Sequence, residues 1–376
     1  MRVLYSCLSK SWGGMEMYTL TSITQLLKRN VTVELLCASE SRIHIEANNL
    51  GILLHPVKAS SYFHPFTTMK LALLLKRNNY SIVHTQASKD LWLLVPALFL
   101  ANQKIPLFLT KQVGSFITKK DFLHKFLYKR VTKIFAISTA IKKNLIKTTP
   151  NDSEKVMILP NGIDIERFSP ERIDSLKVRR GFGFSPEEIV LGMLARFTPG
   201  KGHEEFLLAA KDLNDEYKNL RYLVVGEPSR GEGEYADRIK QLAKECRLEN
   251  LVFTGYREDI PEVLAAMDIF VFPSHAEAFG IALIEAMAME KPSVCTNAEG
   301  ILDIAVDGQT SYLFENKNAE DLKAKLRVLI ESKITRGKFG ENARNRVAEN
   351  FELTKLTEKV LNIYQEEMNK LSEENV

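Results

Sequence analysis

Twice along the chain, short runs of β-branched and aromatic residues alternate with longer helix-like segments, and this rhythm restricts the fold more than any other feature. The first set contains strand-like Val3–Cys7, Val31–Cys37, Ile52–His55, Ile82–His84, Pro106–Leu109, Ile134–Ile137 and Val156–Leu159. Helix-like stretches from Gly14 to Arg29, from Phe66 to Arg77 and through Leu93 lie between them. A second set runs through Ile189–Leu194, Leu220–Val225, Leu251–Phe253, Ile269–Phe272 and Ser293–Cys295. Strands that alternate with helices and read as nearly continuous apolar runs belong to parallel, doubly wound sheets covered on both faces. At 376 residues the chain exceeds one ordinary core and suits two. The expected organisation is therefore α/β, with two Rossmann-like domains at residues 1–170 and 171–352. They divide in the Gly-, Pro- and charge-rich stretch from Phe168 to Pro186, and a helix at 353–376 packs back on the first domain.

Composition narrows the class. Hydrophobic and charged contents of 45% and 26% are globular values. The longest apolar run, Leu91–Ala101, is too short to span a bilayer and carries Pro96. Four scattered cysteines, Cys7, Cys37, Cys246 and Cys295, form no C-x-x-C pair, and the start lacks a secretory cleavage pattern, so a reducing cytoplasm is the expected compartment. The net charge of +4 hides an asymmetry: residues 1–170 hold 23 Lys+Arg and 10 Asp+Glu, or +13, which leaves −9 for the remainder. A basic half predicts an anionic partner. Its densest part, Lys111 to Lys147, has ten basic residues and one acid interleaved with Phe116, Ile117, Phe122, Leu123, Phe126 and Tyr128. Apolar residues at helical spacing with lysines opposite predict a helix lying on an anionic membrane, the alternative being a surface helix with an ordinary core face. No nucleic-acid-binding motif accompanies the charge.

Chemistry concentrates where strands end. After strand-like Asp268–Pro273 comes Ser274-His-Ala-Glu-Ala-Phe-Gly-Ile-Ala-Leu-Ile-Glu-Ala-Met287. This Gly-containing turn opens a helix, so backbone N–H groups and a positive dipole end face the sheet's carboxyl edge. Glu277 lies in the turn and Glu285 about two turns into the helix, so both carboxylates can address one ligand. Residues 192–202 end another strand with Arg196 and Lys201, a planar fork and a point charge suited to a diphosphate. They lack the spacing of a Walker loop. The ends at Gly226, and at Thr254 to Arg257, share the same edge. In the first half, Gly13-Gly14 opens the first helix, and His84, Gln86, Ser88 and Lys89 cluster after a buried strand.

In this order the motifs resemble the retaining GT-B glycosyltransferases of glycosyltransferase family 4. The resemblance rests on Gly13-Gly14, Asn161-Gly-Ile-Asp164, Arg196 and Lys201, Thr254-Gly255, and Glu277-x7-Glu285 with Phe279-Gly280. His84-Thr-Gln-Ala-Ser-Lys-Asp90 is similar to the His-Thr-His-Ser-Ser-Lys-Asp of a bacterial cell-envelope subgroup. The resemblance implies a nucleotide-sugar donor on the second domain, an acceptor on the first, and transfer in the cleft between them. Arg196 and Lys201 would hold the diphosphate, Glu277 the transferred sugar and Glu285 the ribose hydroxyls. Gly14, Gly226, Arg257 and the backbone at Ala278, Phe279, Gly280 and Ile281 would complete the donor site. Gly13, His84, Ser88 and Lys89 would face the acceptor, a glycan or lipid-linked molecule at the inner face of the membrane. The subgroup's Thr-Arg-His reads Thr110-Lys-Gln112 here, so Gln112 stands where a catalytic imidazole is usual. With no Asp-x-Asp pair, the expected catalysis needs neither metal nor cofactor. A nucleotide-sugar 2-epimerase of the same fold and a non-catalytic partner subunit are the alternatives.

Overall fold

The computed structural model describes residues 1–58, 62–229 and 231–373. The last residues of the expected C-terminal helix, 374–376, lie outside them. The chain forms two compact units, one of Met1–Asn161 with Thr354–Val376, the other of Gly162–Leu353.

The first unit holds β1 (Arg2–Cys7), α1 (Gly14–Leu27), β2 (Thr32–Ala38), α2 (Arg42–Asn49), β3 (Leu53–Val57), α3 (Pro65–Arg77), β4 (Ile82–Thr85), α4 (Leu91–Ala101), β5 (Leu107–Lys111), α5 (Phe122–Lys129), β6 (Lys133–Ala136), α6 (Thr139–Thr148) and β7 (Val156–Ile158). Its seven strands pair in parallel in the order β3-β2-β1-β4-β5-β6-β7. The doubly wound sheet read from the sequence is present. Pro56 sits inside β3, which is tolerated because β3 is an edge strand with one side free of ladder bonds. Pro96 does not end its helix: α4 runs through it to Ala101, buried over most of its length. β5 extends two residues past the expected Leu109, which places Lys111 at the carboxyl edge of the sheet.

The second unit holds α7 (Ser175–Gly181), β8 (Ile189–Leu194), α8 (His203–Glu216), β9 (Leu220–Val225), α9 (Gly233–Glu245), β10 (Leu251–Phe253), α10 (Ile260–Ala265), β11 (Ile269–Phe272), α11 (Ile281–Ala288), β12 (Ser293–Thr296), α12 (Ile301–Ile304), β13 (Ser311–Phe314), α13 (Ala319–Glu331) and α14 (Lys333–Asn350). Its six strands are parallel in the order β10-β9-β8-β11-β12-β13. In each sheet the order reverses beside the first strand, and the strand ends there form the crevice in which such folds bind ligands.

The units divide earlier than the composition suggests, after Asn161. Ile163 donates its N–H to Phe351 O at 2.8 Å and accepts one from Leu353 N at 2.9 Å, which ties the junction into the second unit. From Thr354 onward the last helix, α15 (Leu353–Glu373), belongs to the first unit. Ile363 and Tyr364 enter its core among Val3, Tyr5, Phe108 and Phe135.

Candidate functional site

In the second unit, glycines let strand-end loops touch backbone to backbone. Gly202 has φ +77°, and a Cβ there would lie 2.1 Å from Pro273 O. Gly226 has φ +139°, and a Cβ would lie 1.9 Å from Ala195 O. No other residue fits either place. Three bonds then link five strand-end loops: Gly226 N to Gly255 O at 3.0 Å, His275 N to Gly200 O at 2.9 Å, and Gly300 N to Glu277 O at 3.0 Å.

On this base stand the charged groups. Lys201 Nζ meets Glu277 Oε2 at 2.6 Å, both side chains being about four-fifths buried. Immediately beyond, Gly280 with φ +120° turns the chain into α11, whose start no side chain caps, while Phe279 is buried against Phe351. Uncapped N–H groups and the dipole favour an anion there. Glu285 is the fifth residue of α11, little more than one turn in rather than the expected two, because the helix begins only at Ile281. The residue is half-buried, and its carboxylate makes no hydrogen bond or ion pair among the described residues. Burial pushes its pKa up to about 7, with Arg167 opposing. Arg196 is exposed and donates to Ser229 Oγ at 3.0 Å. Glu232 organises this loop: it accepts from the Thr198 hydroxyl and, at 3.0 Å, from Ser229 N. The sequence reading missed Glu232, which lies in a charged run, Ser229-Arg-Gly-Glu-Gly-Glu234, with no distinguishing spacing. Arg257 is turned to Asp259, its Nε donating at 2.8 Å, and lies over the Phe182 ring. The structure thus brings Arg196, Lys201, Gly226, Glu277, the Ala278–Ile281 turn and Glu285 to one edge, while the Arg257 guanidinium is spent on an ion pair.

In the first unit Gly13 is extended beside the Glu16 carboxylate, and Gly14 is the first residue of α1. His84 is buried, with one ring nitrogen at the Tyr364 hydroxyl and the other 2.7 Å from Thr110 Oγ1. Burial holds it down to about 3, so it is a neutral packing imidazole, and Tyr5, Phe108 and Phe135 surround it. Asp90, pushed up to about 6 by burial, accepts from Ser6 Oγ at 2.7 Å, Thr85 Oγ1 at 3.1 Å and Leu8 N at 3.2 Å, which pins the loop after β1 to the turn after β4. Gln112 is buried in an amide triad: its Nε2 donates to Gln86 Oε1 and Asn161 Oδ1, each at 3.3 Å, and its Oε1 accepts from Asn161 Nδ2 at 3.1 Å. Both ends of the amide are therefore occupied. Ser88 Oγ accepts from Lys111 Nζ at 3.1 Å, and Lys89 Nζ lies 5.2 Å from the Tyr62 ring centroid. Among the described residues no three His, Cys, Asp or Glu side chains group as metal ligands, and no helix is long and apolar enough to cross a membrane.

Two parallel-sheet Rossmann-like units with charged strand-end loops define the GT-B class. The structure superposes on a glycosyltransferase from Rickettsia africae ESF-5 with a TM-score of 0.88 at 24% identity, over 97% of this chain and 98% of that one. It superposes on Anabaena HepE in complex with UDP with a TM-score of 0.86 at 20% identity, over 97% and 100%. The models for Glycosyltransferase Family 4 and for Glycosyl transferases group 1 match residues 12–167 and 174–346. The chain belongs to glycosyltransferase family 4. Among its relatives, the capsular polysaccharide biosynthesis glycosyltransferase CapM of Staphylococcus aureus is 25% identical over 90% of this chain and 91% of its own. The UDP-Gal:alpha-D-GlcNAc-diphosphoundecaprenol alpha-1,3-galactosyltransferase of Escherichia coli is 26% identical over 79% and 78%.

Proposed function

We propose that the protein transfers a hexose-type sugar, with retention and without a metal, from a nucleoside diphosphate sugar to a cell-surface glycan or lipid-linked acceptor. The observation that carries the donor half is the pairing of an uncapped α11 N-terminus with two carboxylates, Glu277 on Lys201 and Glu285 with no hydrogen bond or ion pair among the described residues. In this reading the helix end, Arg196 and Lys201 take the diphosphate and stabilise the charge that develops as it leaves. Lys201 also aligns Glu277 for the sugar hydroxyls, and the open carboxylate of Glu285 accepts from the ribose. The solved relative with bound UDP supports a nucleotide donor. The two bacterial relatives, in capsule synthesis and on a diphosphoundecaprenol acceptor, support a cell-envelope substrate.

The first unit's basic segment supports a membrane-side location. α5 buries Leu127 and Tyr128 but leaves Phe122 81% exposed and Leu123 and Phe126 substantially so, and Phe116 and Ile117 stand out ahead of it. An ordinary core-facing helix would bury these residues. Here they project among Lys119, Lys120, Lys125 and Lys129, which is the pattern of an interfacial helix.

A thermal-shift screen with uridine, guanosine and adenosine diphosphates tests the donor half, since a ligand held by the native state alone raises the midpoint. No shift with any of the three overturns it. Product analysis tests the chemistry. Epimerised nucleotide sugar with no nucleoside diphosphate released would point to the epimerase. The occupied Gln112 amide favours one rival, a non-catalytic subunit, and tight nucleotide binding with neither transfer nor hydrolysis would establish it.

A further inference from the structure

We infer that Lys111, with Ser88 and Lys119, forms an anion subsite in the first unit that receives a phosphate or diphosphate group of the acceptor; the inference deepens the transferase reading and rests on it. Lys111 is the last residue of β5, at the carboxyl edge of the sheet beside the turn that follows β4. The residue is only 8% exposed. An ammonium carries three donor protons. Among the described residues this one has a single hydrogen bond, to Ser88 Oγ at 3.1 Å, and no carboxylate within ion-pair reach.

Two part-buried cations of this protein are arranged differently. Lys291 faces the carbonyl of Ala265 at 3.4 Å, and the carboxylates of Asp268 and Glu290 offset the nearby Arg179. Arg130 donates to the carbonyls of Gln103 at 3.0 Å and Ile105 at 2.7 Å. Lys111 instead has a cation alone, Lys119, as its charged neighbour, and the buried Tyr128 hydroxyl is directed towards Ser88. Burial and Lys119 hold the ammonium down to about 8, so it still carries its charge at neutral pH. Taking a cation out of water beside another cation is costly unless an anion completes the site. Two free ammonium protons, a hydroxyl and a second lysine suit the oxygens of a phosphate ester. The loop that carries Lys119 also exposes Phe116, at full exposure, and Ile117, so an apolar remainder of the ligand would have a surface to lie on.

The test is calorimetric titration of inorganic pyrophosphate, geranyl diphosphate and geraniol into the full-length protein, with and without saturating uridine diphosphate. Lys111→Met should lower pyrophosphate affinity at least about tenfold in the presence of the nucleotide, the scale of one lost charge-assisted contact. Its uridine diphosphate affinity and melting midpoint should remain those of the wild type, and Lys111→Arg should recover most of the loss. Geranyl diphosphate binding more tightly than pyrophosphate, with geraniol silent, assigns the phosphate to a lipid-linked acceptor; equal binding assigns it to a soluble phosphate ester. Unchanged pyrophosphate affinity in Lys111→Met, or a matching loss of nucleotide affinity, overturns the subsite. If uridine diphosphate binds no variant, the donor assignment is what fails, and the pyrophosphate titrations without nucleotide still decide Lys111.

Discussion

At the scale of single residues, two glutamates eight positions apart differ in what holds them, and their substitutions should differ accordingly. Glu285→Ala should weaken nucleoside diphosphate binding by roughly 2 kcal/mol, the value of hydrogen bonds to a charged group, whereas Glu277→Ala should lower turnover more than affinity. Equilibrium binding and steady-state kinetics on the two variants separate these outcomes, and equal, negligible effects of both contradict the site. The raised Glu285 pKa adds a pH signature. Between its ordinary 4.5 and about 7 the folded chain keeps a proton that the unfolded chain has released, so this group's contribution to stability falls as pH rises across that window. Ribose hydroxyls need the ionised form as acceptor, so nucleotide affinity should rise as pH passes through 7, and Glu285→Gln should flatten that rise. Gly202 tests the scaffold. With φ +77° and Pro273 O where a Cβ would go, Gly202→Ala should cost at least ~2 kcal/mol in denaturant unfolding. These placements were only partly legible beforehand. The motifs suggest different tasks for Lys201 and Glu277, yet the two share an ion pair, because a contact between two loops is a property of the sheet that aligns them. The chemistry of its sequence neighbours groups His84 with acceptor-facing residues. Its two hydrogen bonds and ring of aromatics could not be foreseen, since one of them comes from Tyr364, 280 residues away.

At the scale of elements, the strands were the readable part and their ends were not. Parallel strands buried on both faces announce themselves as apolar runs, whereas one or two residues more decide which side chain reaches the edge, as the extension of β5 to Lys111 shows. The apolar spacing of α5 was legible, but spacing does not say whether Phe122 and Phe126 face a core or solvent. Charge reversal at Lys119, Lys120, Lys125 and Lys129 should abolish flotation with anionic liposomes. Phe122→Ser with Phe126→Ser should weaken it while leaving its salt dependence intact, since screening acts on the lysines alone. Flotation unchanged by the charge reversal removes the membrane role from this helix.

For the whole molecule, composition located two cores but placed their boundary in the wrong kind of signal. Gly, Pro and charge mark the stretch around α7, yet Ile163 is tied by backbone bonds to Phe351 and Leu353, partners that no local pattern advertises. The same closure makes the first unit discontinuous. Removing everything after Leu353 takes away Ile363 and Tyr364, and the Tyr364 hydroxyl from buried His84. Deleting buried aromatic and aliphatic side chains costs ~2–5 kcal/mol each. The truncated chain should therefore lose protection of β1, β4 and β5 in hydrogen exchange, while the amides of β8, β9 and β11 keep theirs. Uniform loss or uniform retention across both sheets contradicts this division.

The helix α15 also sets an order of events during synthesis. Domains usually fold as they emerge, the earlier first. Here the unit encoded second has all its strands and its closing residue, Leu353, while the one encoded first still lacks the helix that fills its core. The first unit must wait, its apolar sheet incompletely covered, until Ile363 and Tyr364 leave the ribosome. A stop just after Leu353 would therefore damage the strands that were made first.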